Sequence, residues 1–491
     1  MAKKESPDSK FTKIDLFLIS VLLFIALVLR LYKINAPLTD HHSWRQVDTA
    51  AVARNFAQSG FDLLHPKYDD LSNIQSGKYN PQGYRFVEFP IYNAMFALFF
   101  KYLPIFSLEI YGRLITIFFS LALIFIIYYL VLKEEGRITA FFSSLIFSTM
   151  PFFVFYSRVI LPEMTALSFS FLSILFLYLY SKNGKRTLFL SNIYYLMSIV
   201  FFSSSLLVKP TTIFYFFPLI YIFYKKFGLN LFKKLSFYFY FLLSLAPLVL
   251  WRFWMMKFPE GIPVSEWLFF QVNTYQGREN IFFRPAFFRW IFGERILDLI
   301  LGGYLVIFFI VGLLKKPKST YLFFWIAISS LIYLLTFQGG NVQHDYYQIL
   351  ILPALAIFSG IGISFFLTEK KVFINLFLNA LFIIALLAFS LFFSFYKIRD
   401  YYSYNTDLVN MAKIIKTLTP PEAKIVTDTT GDTTLLYLAE RRGYPATTTD
   451  FNTLKQQGMQ YFVTMKKEVA DNLQDKYQLI FDNEKIYIFR L

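Results

Sequence analysis

Acidic, imidazole and guanidinium side chains are concentrated in one short stretch of the chain, residues 40–49. The stretch reads Asp-His-His-Ser-Trp-Arg-Gln-Val-Asp-Thr and continues into residues 50–58, an amphipathic run of helical period. A carboxylate such as Asp40 or Asp48 can take a proton from an attacking hydroxyl, and imidazole or guanidinium groups can stabilise a departing anion. The structural alternative is a solvated surface helix in which Asp40 or Ser43 only caps backbone donors.

Four further polar groups stand beside long apolar runs: Glu88 before residues 89–103, Arg158 and Glu163 between two runs, Lys209 in a short loop, and His344 with Tyr347 before a late run. Glu163 falls in the first turn of a helix, where the dipole favours an anion, so capping is the alternative to catalysis. Lys209 would either snorkel or bind an anionic headgroup, because a buried charge without a partner is costly. His344 is either structural or part of a headgroup site.

The composition identifies the elements that must position these groups. Of 491 residues, 56% are hydrophobic and only 16% are charged, which excludes a soluble enzyme and indicates an integral membrane protein. The net charge of +16 would suggest nucleic acid in a soluble protein, but the basic residues cluster between apolar runs. We therefore expect membrane lipids as partners and no nucleic acid. Without cysteine, the chain can form neither a disulfide nor a thiolate site.

The fold class predicted is an α-helical polytopic membrane protein, because runs of about 20 apolar residues can cross a bilayer. Eleven spans are predicted, at residues 14–33, 108–132, 138–156, 162–180, 187–206, 211–224, 235–252, 294–314, 319–337, 347–368 and 372–396. The first follows basic residues as in a signal peptide, but it is too long and lacks a small-x-small cleavage site. We predict that it is retained.

Basic clusters predict the orientation of these spans. With the N-terminus inside, five clusters fall in cytoplasmic loops: Lys133 with Arg137, Lys182 with Lys185 and Arg186, Lys225 and Lys226 with Lys233 and Lys234, Lys315 and Lys316 with Lys318, and Lys370 with Lys371. The loops 34–107 and 253–293 and the C-terminal tail then lie outside. Residues 89–103 are apolar but short, so we predict an interfacial or dipping juxtamembrane helix there.

The tail changes character and predicts a small extracytoplasmic α/β domain at residues 398–491, after a transmembrane domain at 1–397. We expect a helix at 407–416 capped near Thr406, a strand at 424–427, a helix at 433–442 with Gly443 as its C-cap, a strand at 460–464, a helix at 468–476, and a hairpin turning at Asp482 and Asn483. Residues 428–432 would bind a sugar or cation, or form a turn with a helix cap.

An acidic group beside a phosphate site at bilayer level would suit sugar transfer from a lipid phosphate. The carboxylate would take the acceptor's proton while basic groups stabilise the departing phosphate. A polyprenyl phosphate is already a good leaving group, so a nucleotide-binding fold is unnecessary. The sequence has neither a phosphate-binding glycine-rich loop nor an HExxH motif.

Six motifs along the whole chain carry a family resemblance: His42-Ser43-Trp44-Arg45-Gln46-Val47-Asp48-Thr49, Ala53-Arg54-Asn55-Phe56, Glu88-Phe89-Pro90, Ser157-Arg158 through Pro162-Glu163, Lys209-Pro210 and His344-Asp345-Tyr346-Tyr347. With this organisation the sequence resembles the C-type polytopic membrane glycosyltransferases of family 39, which include protein O-mannosyltransferases and bacterial aminoarabinose transferases. The resemblance implies transfer of a hexosyl or pentosyl group from a polyprenyl-phosphate donor to a lipid, glycan or protein acceptor. The reaction would take place at the outer face of the cytoplasmic membrane.

The resemblance also implies residue roles. The family's catalytic aspartate lies in the first outer loop, typically in an Asp-Glu pair, and this chain departs from that pattern. We predict Asp48 as the base and Asp40 as the second candidate, with Glu163 at the second acidic position. The predicted donor and substrate-binding residues are His42, Trp44, Arg45, Glu88, Arg158, Lys209 as the lipid-phosphate lysine, His344 and Tyr347. Some relatives bind a divalent metal; no cofactor is certain here, and His41, His42, Asp48 and Glu163 could supply ligands.

Two other functions are compatible with part of the sequence. A flippase or transporter of a lipid-linked sugar should carry polar residues along a path through the bilayer. The charged residues within the predicted spans are few and gather near the outer ends instead, which disfavours transport. A membrane sensor with an outer domain would explain the tail but not the polar cluster in the first outer loop.

Overall fold

The computed structural model describes residues 10–182, 188–262, 274, 280–369 and 375–491. In these ranges the first ten α-helices are α1 (Lys13–Leu31), α2 (Ser43–Ser59), α3 (Ile91–Tyr102), α4 (Leu108–Glu134), α5 (Arg137–Thr149), α6 (Pro151–Tyr156), α7 (Glu163–Lys182), α8 (Leu188–Val208), α9 (Phe216–Phe227) and α10 (Leu235–Met255). The next ten are α11 (Pro285–Phe288), α12 (Val306–Leu314), α13 (Leu322–Thr336), α14 (Gln338–Gln343), α15 (Leu352–Thr368), α16 (Leu376–Ile398), α17 (Thr406–Leu418), α18 (Thr434–Leu438), α19 (Phe451–Gln456) and α20 (Lys467–Asp471).

Long apolar helices confirm the predicted fold class. Among the described residues, 7 helical segments are long and apolar enough to cross a membrane: Lys13–Leu31, Leu108–Glu134, Glu163–Lys182, Phe189–Val208, Leu235–Met255, Asp345–Thr368 and Leu376–Leu418. The chain is therefore a multi-pass membrane protein. The count of eleven spans and the orientation stay predictions, and the basic residues Lys3, Lys4, Lys185, Arg186, Lys370 and Lys371 lie outside the described residues.

Several predicted spans are interrupted rather than continuous. The span predicted at 138–156 divides at Met150 into α5 and α6, because Pro151 cannot donate the next helical hydrogen bond. The spans predicted at 211–224 and 347–368 begin as 3-10 helices, Pro210–Tyr215 and Asp345–Ile351. The span predicted at 294–314 begins as a π-helix, Arg289–Ile300, and is broken by Gly302 and Gly303, which both have positive φ.

The chain divides into two compact units. Unit 1 comprises Met1–Ile34, Leu114–Trp251 and Trp267–Arg399, and unit 2 comprises Asn35–Arg113, Arg252–Glu266 and Asp400–Leu491. Unit 2 thus combines the loop predicted at 34–107 with the tail. The division into domains at 1–397 and 398–491 stays a prediction.

Small residues allow close packing of helices in unit 1. A Cβ added to Gly312 of α12 would lie 1.9 Å from the carbonyl oxygen of Phe358 in α15. A Cβ on Gly362 of α15 would lie 1.9 Å from the carbonyl oxygen of Phe308. Reciprocal glycines of this kind let two helices approach each other through their backbones.

A five-stranded sheet forms the tail part of unit 2. Its strands are β1 (Lys424–Thr427), β2 (Arg442–Tyr444), β3 (Tyr461–Thr464), β4 (Gln478–Asp482) and β5 (Tyr487–Arg490), in the order β2-β1-β3-β5-β4. β1 pairs in parallel with β2 and β3, whereas β5 is antiparallel to β3 and β4. Alternating side chains pack into two hydrophobic clusters on opposite faces of the sheet. Val426 and Phe462 pack on one face, and Ile425 and Val463 pack on the other.

The first-loop residues 69–71 continue this sheet. The amide of Leu71 donates to the carbonyl of Gly443 at 2.8 Å, and the amide of Gly443 donates to the carbonyl of Asp69 at 2.9 Å. Gly443 is therefore a strand residue between two neighbours, and its prediction as a helix C-cap was wrong. A Cβ there would lie 1.7 Å from the carbonyl oxygen of Ile425, so the close approach of backbones, not a turn, requires glycine.

The other tail elements follow the predicted order with different bounds. Strand β1 and the hairpin of β4 and β5 lie where they were predicted, and the cap of α17, predicted near Thr406, is the adjacent residue Asn405. The helices predicted at 433–442 and 468–476 are the shorter α18 and α20. Helix α19 was not predicted; its N-cap Asp450 accepts a hydrogen bond from the amide of Thr453.

Helix α2 is buried rather than solvated. Every residue from Arg45 to Ala53 is buried, so neither face is polar and exposed as an amphipathic surface helix requires. Asn93 of α3 donates to the carbonyl of Thr49 at 2.7 Å and so attaches α3, the predicted juxtamembrane helix, to α2.

Candidate active site

The predicted site residues divide between the two units. Unit 2 contains Asp40, His41, His42, Trp44, Arg45, Asp48 and Glu88. Unit 1 contains Arg158, Glu163, Lys209, His344 and Tyr347.

Asp48 lies in the second turn of α2, and its buried carboxylate has a partner on each oxygen. Thr433 donates its hydroxyl to Oδ1 at 2.6 Å, and Nη1 of Arg85 lies 3.1 Å from Oδ2. Burial raises the pKa of Asp48 above its usual value, although the charge of Arg85 and the hydrogen bond from Thr433 act in the opposite direction. A carboxylate with a raised pKa accepts protons more readily, which is the property of a general base.

Asp40 precedes α2 and is also buried. Its Oδ1 accepts a hydrogen bond from Nε2 of Gln46 at 2.7 Å, and its Oδ2 lies 3.8 Å from Nη2 of Arg113. Arg113 is itself held by a 2.6 Å hydrogen bond to the carbonyl of Ala36. The backbone between Asp40 and α2 is fixed by the amide of Ser43, which donates to the carbonyl of Asp40 at 3.0 Å.

The two histidines lie at the start of α2. His42 has φ 55°, the left-handed conformation that non-glycine residues adopt at a cost. The ring of His41 stacks on Tyr401 with centroids 3.7 Å apart, and its centroid lies 4.1 Å from that of His42. Both rings are half-buried.

Arg45 and Glu88 form an ion pair in unit 2. The guanidinium donates to Oε1 of Glu88 and also to Oγ1 of Thr49, the latter at 3.2 Å. This pair connects the first turn of α2 to the segment that precedes α3. Trp44 lies beside Arg45 in that turn and is half-buried.

In unit 1, Glu163 and Lys209 are paired at the ends of neighbouring helices. Glu163 begins α7, and Lys209 follows α8 as the N-cap of a 3-10 helix. Nζ of Lys209 donates to Oε1 of Glu163 at 2.5 Å and lies 5.3 Å from the centre of the Tyr347 ring. The lysine is therefore held between a carboxylate and an aromatic face.

The His344 motif lies where α14 ends and a 3-10 helix begins. The ring of His344 stacks on Tyr346 and Tyr347 with centroids 5.3 and 6.3 Å away. Asp345 accepts a hydrogen bond from the hydroxyl of Tyr156 at 2.5 Å and lies 3.5 Å from Nη1 of Arg295.

Arg158 is fully buried near the start of α7, and its guanidinium donates to the carbonyl of Tyr32. Together with Glu163, Lys209, His344 and Asp345, it lies at a helix end or break in unit 1. Membrane proteins tolerate such irregular backbone where polar groups of the protein surround it.

Comparison with known proteins gives matches at the level of structure. No protein-family model and no curated protein matches the chain. The structure of ArnT from Cupriavidus metallidurans bound to undecaprenyl phosphate has a TM-score of 0.64 at 11% identity, over 96% of this chain and 97% of ArnT. The oligosaccharyltransferase AglB from Archaeoglobus fulgidus, in complex with an inhibitory peptide and dolichol phosphate, has a TM-score of 0.56 at 11% identity, over 93% and 70%. A second structure of the Archaeoglobus fulgidus oligosaccharyltransferase, with Zn and sulfate, has a TM-score of 0.58 at 12% identity, over 91% and 67%.

The chain has the GT-C fold. Both similar proteins are membrane glycosyltransferases of that fold. The resemblance predicted from the sequence motifs is therefore confirmed at the level of fold. At 11–12% identity the likeness shows the fold alone.

Within this GT-C fold, the partners of Asp48 and Asp40 were not predicted from the sequence. Arg85 lies three residues before Glu88, which was predicted as a site residue, so its position in the sequence could have suggested that it also belongs to the site. Arg113 lies in the first turns of an apolar helix, where a charge is expensive without a partner. The contact of Thr433 with Asp48 could not be predicted, because the two residues are 385 positions apart in the chain.

The surroundings of the predicted metal ligands differ. Asp48 contacts Arg85, and Glu163 contacts Lys209, so a cation would compete with a protein cation at either carboxylate. His41 contacts the rings of Tyr401 and His42, and each of the two histidines offers a ring nitrogen of the type that binds metals.

The tail segment 428–432 forms a turn before α18, whose N-cap residue Thr433 makes no capping hydrogen bond with its side chain. Oδ1 of Asp432 accepts from the amide of Thr434 at 2.8 Å, and Oδ2 of Asp428 accepts from the hydroxyl of Thr464 at 2.6 Å. These bonds favour the structural alternative over a sugar or cation site. Thr433, the residue that follows this segment, donates its hydroxyl to Asp48.

Proposed function

We propose that the chain transfers a hexosyl or pentosyl group from a polyprenyl-phosphate donor to a lipid, glycan or protein acceptor. The observation that carries the proposal is the GT-C fold over 96% of the chain, shared with a transferase solved with undecaprenyl phosphate. We place the reaction at the outer face of the cytoplasmic membrane, with the N-terminus inside and unit 2 outside.

Asp48 is the proposed general base. In the reaction the acceptor oxygen forms a bond to the sugar's anomeric carbon, the bond from that carbon to the phosphate oxygen breaks, and the acceptor's proton passes to the carboxylate. The raised pKa of Asp48 and the fixed positions of both its oxygens support this role. Asp40 is the second candidate, because it is buried in the same loop and bonded to Gln46.

The proposed phosphate site in unit 1 consists of Lys209 with Glu163 and Tyr347. Lys209 would stabilise the charge that develops on the departing phosphate. Glu163 positions the ammonium group, and the Tyr347 ring covers it. The remaining proposed donor and substrate contacts are His42, Trp44, Arg45, Glu88, Arg158 and His344.

Mass spectrometry of lipids that co-purify with the protein tests the proposal, followed by incubation with candidate acceptors. We expect a polyprenyl-phosphate sugar to be bound and then consumed. The same lipid bound but never consumed, across many acceptors, would instead support a flippase. Absence of any prenyl lipid, with no transfer from added donor, would overturn both functions.

A divalent metal is a further part of the proposal, with His41 and His42 as imidazole ligands. When bound, such an ion would supply electrostatic stabilisation of a phosphate. Metal analysis of the purified protein tests this. We expect a stoichiometric ion that is lost in the His41→Ala/His42→Ala variant; equal metal content in both proteins would refute the assignment.

A further inference from the structure

Unit 1 contains a second polar site at the opposite end of α7 from Glu163. A cavity of about 120 Å³ lies there between the C-terminal ends of α7 and α9 and the start of α13. Its cationic lining consists of Lys182, Lys225 and Lys226, and Tyr178, Tyr221 and Thr320 add hydroxyl groups. We call it the lysine pocket.

The charge of the lysine pocket favours an anion. Glu134 is the acid beside it: its Oε1 lies 3.7 Å from Nζ of Lys182 and accepts the hydroxyl of Tyr178 at 2.7 Å. Lys226 donates to the carbonyl of Tyr180 at 2.7 Å and lies over that ring. The negative charge of Glu134 balances the positive charge of Lys182, so the charges of Lys225 and Lys226 remain at the pocket. Lysines also complement the dipoles at helix C-termini, but that role needs no cavity with hydroxyl groups.

The position of the pocket relates it to the membrane surface. Glu163 and Lys182 are the first and last residues of α7, a 20-residue helix. At 1.5 Å per residue the two ends are roughly 30 Å apart, about the thickness of a bilayer's hydrocarbon core. The lysine pocket therefore lies near the surface opposite Glu163 and Lys209.

The surface near the pocket suits a lipid. Four apolar side chains between the C-terminal turns of α9 and the start of α10 are exposed: Tyr224, Leu229, Phe232 and Leu235. Acyl chains could lie against them while a headgroup enters the pocket. Basic pockets between membrane helices commonly bind anionic headgroups.

We propose that the lysine pocket binds the phosphate of an anionic lipid headgroup at the membrane surface opposite Glu163 and Lys209. This site is separate from the donor site proposed above and does not depend on it. A soluble phosphate compound shares the same chemistry, so the test must distinguish the two sources.

Native mass spectrometry of the full-length protein with phosphatidylglycerol and phosphatidylcholine tests the proposal. We expect the Lys225→Gln/Lys226→Gln variant to bind phosphatidylglycerol more weakly, by roughly fivefold for each lysine removed, with phosphatidylcholine unaffected. The matched control is Lys233→Gln/Lys234→Gln, which removes two charges from the next segment but none from the pocket lining. Equal losses in both double variants would indicate general surface attraction and overturn the site.

Two further measurements keep the outcome decisive. If the double variant does not fold, Lys225→Gln alone is used, because this side chain is exposed. We expect inorganic phosphate in excess to leave the bound lipid in place. Displacement of the lipid by phosphate would assign the pocket to a soluble phosphate compound and overturn the lipid assignment.

Discussion

Buried carboxylates in unit 2 have surroundings that distinguish their roles. Asp48 is bonded by Thr433 and Arg85, whereas Asp40 accepts a hydrogen bond from Gln46 and lies 3.8 Å from Arg113. Burial also raises the pKa of the nearby Asp70, to about 6. Burial thus raises the pKa of two acids in the first loop, and perturbed pKa values of this kind are typical of sites that move protons.

Replacement of Asp48 tests the proposed base directly. We expect Asp48→Asn to reduce transfer by about 10²- to 10⁴-fold while the protein remains folded, because the amide cannot take a proton. Single-turnover transfer from a polyprenyl-phosphate donor measures the effect. Asp40→Asn is the matched comparison; if only that variant lost activity, the base would be Asp40.

Loss of the Thr433 hydroxyl should change the pH dependence of transfer. The hydrogen bond from Thr433 lowers the pKa of Asp48, so Thr433→Val should raise it further. A base must be deprotonated to act, and the rising limb of the pH profile should therefore move to higher pH. Thr433→Ser keeps the hydroxyl and should restore the wild-type profile. A lower rate with an unmoved profile would indicate a purely structural role.

Lys209 should affect use of the lipid donor more than the chemical step. Lys209→Gln alone removes the ammonium group that is paired with the buried carboxylate of Glu163 and should destabilise the fold. The Lys209→Gln/Glu163→Gln variant removes both charges. We expect it to be more stable than the single variant and to raise KM for the donor about tenfold or more. An unchanged donor KM in the folded double variant would contradict a phosphate role.

The sequence predicts many residues of the candidate site but few of their pairings. Four of these residues could be predicted because a charged side chain next to an apolar run is energetically costly and is therefore a candidate functional residue: Asp48, Glu88, Glu163 and Lys209. The bond from Thr433 to Asp48 could not be predicted, because it depends on how the tail folds against the first loop. Pairings within a few residues, such as Asp40 with Gln46, are closer to what a sequence can indicate.

At the scale of elements, the long spans were predictable and their interruptions were not. The length of an apolar run predicts that a membrane helix exists there. The bounds of α4 and α7 agree with the prediction within a few residues. The breaks at Pro151 and at Gly302 are indicated by the residue types themselves, but a prediction from hydropathy does not take those residue types into account. For α2, periodicity predicted the helix but not its burial, because burial depends on the segments that cover it.

The glycines between α12 and α15 give an element-scale prediction. Gly362→Ala should force the two backbones apart and lower stability by about 1–3 kcal/mol, the usual effect of overpacking. Thermal unfolding in detergent measures the change. Gly293→Ala is the matched control, because a Cβ there meets nothing within 4 Å. Equal melting temperatures for the two variants would show that this contact does not limit stability.

At the scale of the whole molecule, composition and charge predict a polytopic fold, and the GT-C likeness confirms it. The physical reason is that the bilayer fixes span length and the insertion machinery responds to basic loops. These rules do not predict how the membrane helices pack against one another. That packing depends on contacts between side chains that a single sequence does not reveal.

The predicted orientation can be tested in this chain without removing native thiols, because it has no cysteine. We expect Asn483→Cys, in the exposed hairpin turn, to react with an impermeant maleimide added outside intact cells. Lys316→Cys, in an exposed loop predicted to be cytoplasmic, should react only after the membrane is opened. The reverse pattern would invert the orientation.

The pairing of residues 69–71 with Gly443 has a consequence for the order of events during synthesis. Asp70 leaves the ribosome 373 residues before Gly443, so at ordinary elongation rates the first loop waits roughly 20–75 seconds for its sheet partner. During that interval Asp48 also lacks Thr433, and the helices of unit 1 can insert before unit 2 is complete. The surroundings of Asp48 are therefore completed late, and nascent chains arrested before Thr433 should carry a protease-sensitive first loop.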